Sequence, residues 1–454
     1  MNKIKYILFI VLAVFATIVQ AEGYKGLTLD SCLSLAQQNN PSLRKAQLGV
    51  LRAEEVKAQA FTKYFPQIQG TAFGYHALHP IVEIGIDDIG NASVRDLLTT
   101  LYGSYGSALG LENSINLFQH GYMAGVTAVQ PIFMGGKIVA GNKLAQVGVE
   151  AAKLQAQLQQ RDILEQIEES YWLVYSLQEK QQIIDDAMSL LDTIYANVSV
   201  AVEAGLALPL DITQVEIRKN DIQRRQLQLQ NGSRLARRAL ALSIGLENGD
   251  SVETVQADSN LDITTINLRE NPVPLVEKQL LDLQVRAAEL EKRMVLAEAL
   301  PQVLLGANYG YSQWQMNILR DGINHKTGNG ALFVTVNVPL TGWWETGHKL
   351  KEKQYAIEQA QIDADYLGSQ LDLRTKQVYD QMTEAQALVQ IQEKTLLQAQ
   401  EAYNQLKINY DAGLATITDL LQTQMVLTQT KSDLTDAQIA YKVYSKRYSD
   451  LISQ

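Results

Sequence analysis

The sequence predicts a mainly α-helical chain that also contributes four strands to a membrane β-barrel shared between copies. Three observations predict this fold class: a duplication, two helical runs of nearly 70 residues, and four uncharged windows. Apolar residues recur at every second position in the last two windows, whereas glycine and alanine blur the alternation in the first two. Each half has the pattern of a helix, two strands, a very long helix, a turn and a further helix. We predict two structural repeats, residues 22–245 and 246–454.

The chain is predicted to begin with a secretory signal peptide, residues 1–21. Lys3 and Lys5 precede an apolar run of 14 residues that ends in Val19-Gln20-Ala21, and a membrane-spanning helix needs about 20. Removing the two lysines changes the formal charge from −10 to −12, so nucleic acid is not an expected partner. Cys32 is the single cysteine and is expected to be a buried structural thiol.

The duplication is most visible in two short stretches, "VEAGLALPLDITQVE" at 202–216 and "YDAGLATITDLLQTQ" at 410–424. Each carries Ala-Gly-Leu-Ala and an aspartate six residues after its glycine. The separation, 413 − 205 = 208, also relates Pro131 to Pro339, whereas Pro66 and Pro301 are 301 − 66 = 235 apart. The first half therefore holds 235 − 208 = 27 additional residues, which we place in a loop over residues 76–119.

The long helices are predicted at 136–204 and 344–411, and the shorter ones at 209–244 and 417–451. The long segments lack proline, and their apolar residues recur at spacings of three and four, which is typical of a coiled-coil seam. Such a helix is about 100 Å long. Gly205 and Gly413 are predicted to end the long helices, and Pro209 suits the first position of the helix that follows.

The strands are predicted near 66–76, 121–131, 301–312 and 330–339, inside the uncharged windows 64–82, 121–136, 299–319 and 327–344. Alternation is clearest in the third, where Val303, Leu305 and Ala307 alternate with smaller or more polar residues, which is typical of membrane β-strands. Hairpins of a soluble sheet would alternate in the same way. The aromatic residues favour the membrane, because interfacial aromatics are expected at both ends of the strands. They are Tyr309, Tyr311 and Trp314 towards one end and Trp343 and Trp344 towards the other.

Four strands cannot close a barrel, and an open edge is unstable in lipid. The barrel must then be shared between chains: a dimer gives eight strands and a trimer twelve. Strand–helix junctions are predicted at four prolines, since proline cannot continue a ladder or a helix. They are Pro66, Pro131, Pro301 and Pro339.

The opening "LTLDSCLSLAQQNNPSLRKAQ", the "QPIFMGG" junction and the "YDAGLATITDLL" turn resemble the TolC family of efflux channels. The resemblance covers nearly all of the mature chain. It implies a homotrimer in the outer membrane, with a twelve-stranded barrel that continues into a helical tunnel across the periplasm. It also implies an adaptor (membrane fusion) protein and an inner-membrane transporter as partners, in efflux or type I secretion. The cargo stays open.

The resemblance further implies that the turn after the second long helix lines the narrowest aperture. It places a gate tyrosine at Tyr410, an aspartate at Asp419 and an acidic partner at Asp211. Ala415 stands where the family has an arginine, and Gln422 where it has a second aspartate. We therefore hypothesise that hydrogen bonds from Tyr410 and Gln422 hold the gate closed. Helix capping alone is the alternative role for both aspartates.

An alternative function is an exported soluble coiled-coil scaffold, which has the long helices without channel activity. An enzyme is not expected, because the sequence has no phosphate-binding loop, nucleophile elbow or zinc-protease motif. No cofactor or metal site is predicted.

Overall fold

The described part of the chain is mostly helical and contains an antiparallel sheet, which confirms the predicted combination of long helices and strands. The computed structural model describes residues 25–79, 82–109, 111–246, 252, 255, 276–319 and 323–452. The predicted signal peptide lies outside these residues. The helices are α1 (Leu29–Asn39), α2 (Pro41–Phe61), α3 (Ala92–Leu109), α4 (Lys137–Glu203), α5 (Pro209–Ser243), α6 (Val276–Glu298), α7 (Trp343–Asp411) and α8 (Ile417–Ile452). The strands are β1 (Gln67–His76), β2 (Val82–Gly85), β3 (Leu111–Met134), β4 (Gln302–Leu319) and β5 (Ile323–Asn337).

Three strands extend beyond their predicted bounds. β3 begins at Leu111 rather than near 121, β4 continues to Leu319 rather than ending near 312, and β5 begins at Ile323 rather than near 330. The prediction limited each strand to an uncharged, apolar stretch. Backbone pairing continues past those stretches, for example between Gln313 and Lys326, because the ladder needs only N–H and C=O groups.

The predicted loop over residues 76–119 is also more ordered than expected. It contains β2, a 3₁₀ turn at Ile86–Asp88 and α3 before β3 begins. The Asp88 carboxylate accepts a hydrogen bond from the Gly85 amide, at 2.8 Å, and β2 pairs with residues 114–117 of β3. The 27 additional residues of the first half thus belong largely to regular structure.

The sheet has the strand order β1-β3-β4-β5, all antiparallel, with β2 beside β3. Alternate side chains of each strand face opposite sides. One face is almost continuously apolar, and its large side chains are exposed in the single chain. They include Ile68, Val126, Leu305, Tyr309, Leu332, Val334 and Val336. The opposite face is mixed: it carries glutamine, threonine and asparagine, as at Gln69, Thr127 and Asn308, together with Phe73, Met123 and Phe333.

Glycines of the sheet lie under aromatic rings of the neighbouring strand. A Cβ atom at Gly306 would lie 2.1 Å from the Phe333 ring, and one at Gly121 would lie 3.0 Å from the Tyr75 ring. Both pairs are directly opposed in the ladder. The rings thus occupy the space above these glycines and cover backbone that would otherwise be bare.

The chain forms two compact units that do not coincide with the predicted repeats. One consists of residues 1–52, 150–283 and 361–454, and the other of residues 53–149 and 284–360. The second unit holds the sheet together with short parts of α2, α4, α6 and α7. Its helical parts are joined by the Lys137–Glu298 and Lys353–Glu291 ion pairs, at 2.8 and 2.9 Å.

The described residues of the first unit are mainly helical and form three clusters of buried side chains. One lies around α1 and includes Cys32, Tyr171 and Leu240, and another joins α7 to α8 and includes Val389 and Tyr448. The third, which we call the tip cluster, joins the ends of the two long helices to the beginnings of α5 and α8. Its buried members are Ile184, Ala187, Leu191, Ile194, Val198, Val215, Ile222, Ala399, Tyr403, Ile417, Leu420, Leu421 and Leu427.

None of the helices in the described ranges combines the length and the hydropathy that a membrane-spanning helix requires.

Candidate functional site: the two helix turns

The two turns that connect a long helix to a shorter one are built alike. Each has five residues, between Glu203 and Pro209 and between Asp411 and Ile417. Gly205 and Gly413 have φ angles of 74° and 73°, a conformation that glycine adopts without strain. The amides of Leu206 and Leu414 bond back to the carbonyls of Ala201 and Asn409, at 2.8 and 2.7 Å. This is the Schellman arrangement, which satisfies carbonyls at the helix end.

The two aspartates after the glycines cap the helices that follow. Asp211 accepts a hydrogen bond from the Leu208 amide at 3.0 Å, one residue before Pro209 opens α5. Asp419 accepts from the Thr416 hydroxyl at 2.7 Å and from the Thr416 amide at 3.2 Å, while the Thr416 hydroxyl accepts from the Asp419 amide. The pKa of Asp419 is lowered by these bonds to Thr416. Both carboxylates therefore have a capping role, and Asp419 is also exposed to solvent.

Tyr410 lies near the end of α7 and packs against the tip cluster. Burial raises the pKa of its hydroxyl, and the nearby carboxylates of Asp211 and Asp411 raise it further. The structure thus brings Tyr410, at the end of α7, near Asp211, at the beginning of α5. The hydroxyl stays protonated at neutral pH, so it can donate a hydrogen bond.

A side-chain hydrogen bond joins the two helices that follow the turns, and the sequence did not predict it. The Thr418 hydroxyl lies 2.7 Å from the Gln214 amide oxygen, so that α5 and α8 are connected directly near their N-terminal ends. Gln422, which we expected to bond across the gate, is exposed, and Ala415 has only a methyl group. The repeat offset of 208 matches Gln422 to Gln214, so the duplication indicates Gln214 as the equivalent residue of the first half.

The turns also expose leucines to solvent. Leu206 and Leu414, which follow the two glycines, are 84% and 80% exposed, and Leu208 and Leu210 are exposed as well. In many Schellman ends the corresponding apolar residue packs back onto its helix. Here the leucines are available to another surface.

Three of the four predicted junction prolines lie between a helix and a strand. Pro66 precedes β1, Pro301 separates α6 from β4, and Pro339 lies between β5 and α7. Pro131 does not: it lies inside β3, three residues before its end, where the register with β4 shifts between Pro131 and Phe133. A bulge of this kind accommodates a residue that has no N–H for the ladder.

The predicted interfacial aromatics have different surroundings. Tyr309 and Tyr311 lie on the apolar face of β4, near the middle of the strand rather than at its end, because the strand continues to Leu319. The backbone of Trp314 pairs with Gly121 and His325. Trp343 and Trp344 are the exposed first residues of α7.

Within the described ranges, no three His, Cys, Asp or Glu side chains come together as a metal-binding group.

Comparisons with known proteins agree on one kind of protein. The pattern of the family described as "Outer membrane efflux protein" matches residues 32–246 and 279–447. Among solved structures, the outer membrane protein VceC from Vibrio cholerae is 18% identical, with a TM-score of 0.70 over 93% of this chain and 94% of its own. The Campylobacter jejuni outer membrane channel CmeC is 13% identical, with a TM-score of 0.71 over 94% of this chain and 88% of its own. CusC is 15% identical, with a TM-score of 0.73 over 96% and 95%.

No curated protein sequence matches the chain. The family match nevertheless covers most of the sequence. It confirms the predicted resemblance and the outer-membrane location, and it supports a channel rather than an enzyme or a soluble scaffold. The chain therefore belongs to the outer membrane efflux protein family.

Proposed function

We propose that this protein is the passive exit duct of a tripartite efflux or type I secretion system. Three copies would form a twelve-stranded barrel in the outer membrane and a helical tunnel that extends into the periplasm. An inner-membrane transporter and a periplasmic adaptor protein would deliver small molecules or polypeptides to it. The duct itself performs no chemistry and needs no cofactor.

The observation that carries this proposal is the sheet with one exposed apolar face. Leu332 is 84% exposed and Tyr309 70% in the single chain, on a face that water would not favour. Within the described chain, β1 and β5 stand at the two edges. Backbone groups at such an edge must be paired in lipid, and β1 of one copy can pair with β5 of the next. Outer-membrane lipid then covers the apolar face, while the opposite, mixed face lines the lumen.

The two turns are proposed as the periplasmic aperture of the duct. Three copies of Asp419 would form an acidic ring that favours cations, with Tyr410 and Asp211 beside it. The Thr418–Gln214 bond joins α5 and α8 of one copy beside the two turns. We propose that this bond, and not one from Gln422, helps to hold the gate closed. Gly205, Gly413 and Pro209 act as the hinges about which the helices can change direction.

The exposed leucines of the turns are proposed as the docking surface for the adaptor. Leu206 and Leu414 project from equivalent positions of the two repeats, so a trimer would present six such positions. If Leu414→Cys forms a cross-link to a co-expressed adaptor, and a cysteine in place of exposed Leu332 of the sheet does not, the docking assignment is supported. The reverse pattern would refute it.

Single-channel conductance in planar bilayers tests the duct and its aperture. We expect discrete, cation-selective openings in the unmodified protein, and weaker cation selectivity in Asp419→Ala. Thr418→Val should raise the open probability, because it removes the bond to Gln214.

Thr423→Val is the matched control for the bond between the turns. It makes the same substitution on the same helix but removes only a local hydrogen bond to the Asp419 carbonyl. Absence of conductance from folded, membrane-inserted Thr418→Val protein would count against a duct. Equal open probabilities for the two threonine variants would count against the role of the Thr418–Gln214 bond alone.

A further inference from the structure

Tyr403 is a buried tyrosine of α7, seven residues before Tyr410. It is 6% exposed and belongs to the tip cluster, whose other buried members are all aliphatic. Ala399, Tyr403 and Tyr410 recur at spacings of four and seven, so they lie on one face of the helix. The tip cluster, to which all three residues contribute, also contains buried side chains of α4, α5 and α8. The relative positions of these helices would set the width of the proposed aperture.

The hydroxyl of Tyr403 has no hydrogen-bond partner among the described residues, although it is fully buried. Tyrosine hydroxyls that are buried usually have a partner, and a buried group without one is destabilised relative to the same group in water. Burial raises the pKa of this hydroxyl, and the Asp411 carboxylate raises it further. The group therefore stays neutral, and ionisation cannot relieve the missing bond.

We propose that Tyr403 is a gating residue: its unpartnered hydroxyl destabilises the packed arrangement of the tip cluster and so favours movement of the α7 end away from α4. When the helices separate, the hydroxyl gains hydrogen bonds with water. The aliphatic members of the cluster act in the opposite direction, because separation exposes them. The balance between the two keeps the tip closed without making the closure permanent. This proposal rests on the proposed function, since it assigns a role within the aperture.

Tyr403→Phe tests the proposal, because it removes the hydroxyl and leaves the ring. A missing hydrogen bond of a buried group is enough to change a local equilibrium about tenfold. We therefore expect the backbone amides of residues 396–411 to exchange with deuterium about tenfold more slowly in the purified Tyr403→Phe protein. In bilayers, the open probability should fall by a similar factor.

Tyr448→Phe is the matched control. Tyr448 is also buried, at 7% exposure, but it lies in the cluster between α7 and α8 that includes Val389. This substitution should leave both the exchange of residues 396–411 and the open probability unchanged. An equal effect of the two substitutions would show a general response to a lost hydroxyl and would overturn the proposal.

Unchanged or faster exchange in Tyr403→Phe would also overturn it. Faster exchange is the result expected if a trapped water bonds the hydroxyl and stabilises the packed state. Deuterium exchange does not depend on transport, so it tests Tyr403 even if the protein fails to conduct. Conductance in the unmodified protein with an unchanged Tyr403→Phe variant would reject the role of Tyr403 and leave the duct intact.

Discussion

The glycine pair between β3 and α4 allows two effects on stability to be separated, namely steric clash and strain from a positive φ angle. Gly135 and Gly136 have φ angles of 61° and 87°, so alanine is strained at either position. A Cβ atom at Gly135 would lie 2.5 Å from the Ala297 carbonyl oxygen and 2.9 Å from the Leu300 Cβ. A Cβ atom at Gly136 would have nothing within 4 Å. The same substitution is thus made in adjacent residues, one with a steric clash and one without.

The expected magnitudes follow from these distances. A left-handed conformation costs a residue other than glycine about 1–2 kcal/mol, and this is the whole effect expected for Gly136→Ala. Gly135→Ala adds a clash with a backbone carbonyl, which cannot rotate away as a side chain can. Forcing additional atoms into a packed site costs about 1–3 kcal/mol. We expect Gly135→Ala to lower the free energy of unfolding by about 2–5 kcal/mol in total.

Denaturant unfolding of the purified protein in detergent, followed by circular dichroism, measures the difference. The difference between the two variants is more reliable than either free energy of unfolding alone, because their unfolded chains differ only in which of two adjacent residues is alanine. Equal losses of stability in Gly135→Ala and Gly136→Ala would refute the reasoning, since the close approach of Ala297 would then have no energetic consequence.

Three further predictions concern titratable groups. Burial raises the pKa of Glu168 despite a hydrogen bond from Trp172, so its stabilising contribution is complete below the unfolded-state pKa and is lost as the pH rises through the folded-state value. Glu168→Gln should therefore match or exceed the unmodified protein in melting temperature at pH 7 and lose that advantage near about pH 4. The pKa of Asp419 is lowered by bonds from Thr416, so its contribution is present above the unfolded-state pKa and is lost on acidification. Melting temperatures of Asp419→Asn should fall less than those of the unmodified protein below about pH 4. Burial raises the pKa of Cys32 to about 11, so maleimide at pH 8 should label it slowly in the folded protein and rapidly in denaturant; fast native labelling would contradict its burial.

The ends of the long helices could be predicted from the sequence because their signals are local. Gly205 and Gly413 provide the conformation that ends a helix, and Pro209 fits the first turn of the next one. Each of these residues lies at the helix end that it predicts, so no contact with a distant part of the chain has to be known. The aspartates six residues after the glycines likewise indicated capping, which the structure shows for Asp211 and Asp419.

Contacts that depend on packing could not be predicted in the same way. Thr418 and Gln214 are polar residues 204 positions apart. Polar residues outside the core have no periodic signature. Pro131 was interpreted as a boundary because proline interrupts a regular ladder, but the bulge beside Phe133 removes that conflict. Helix α3 was missed because glycines at 103 and 106 weaken its helix propensity.

The sheet and the tip cluster each contain residues from both predicted repeats. β3 from the first repeat pairs with β4 from the second, and Val215 shares its cluster with Leu420. A gene divided between the two repeats would therefore encode two polypeptides that each lack half of these structures. Either fragment alone should be recovered as aggregated protein, whereas co-expression should restore a soluble or membrane-inserted complex. By the same reasoning, a single repeat expressed alone would need a second copy of itself wherever the present chain uses its other half, and the covalent link between the halves makes that association intramolecular.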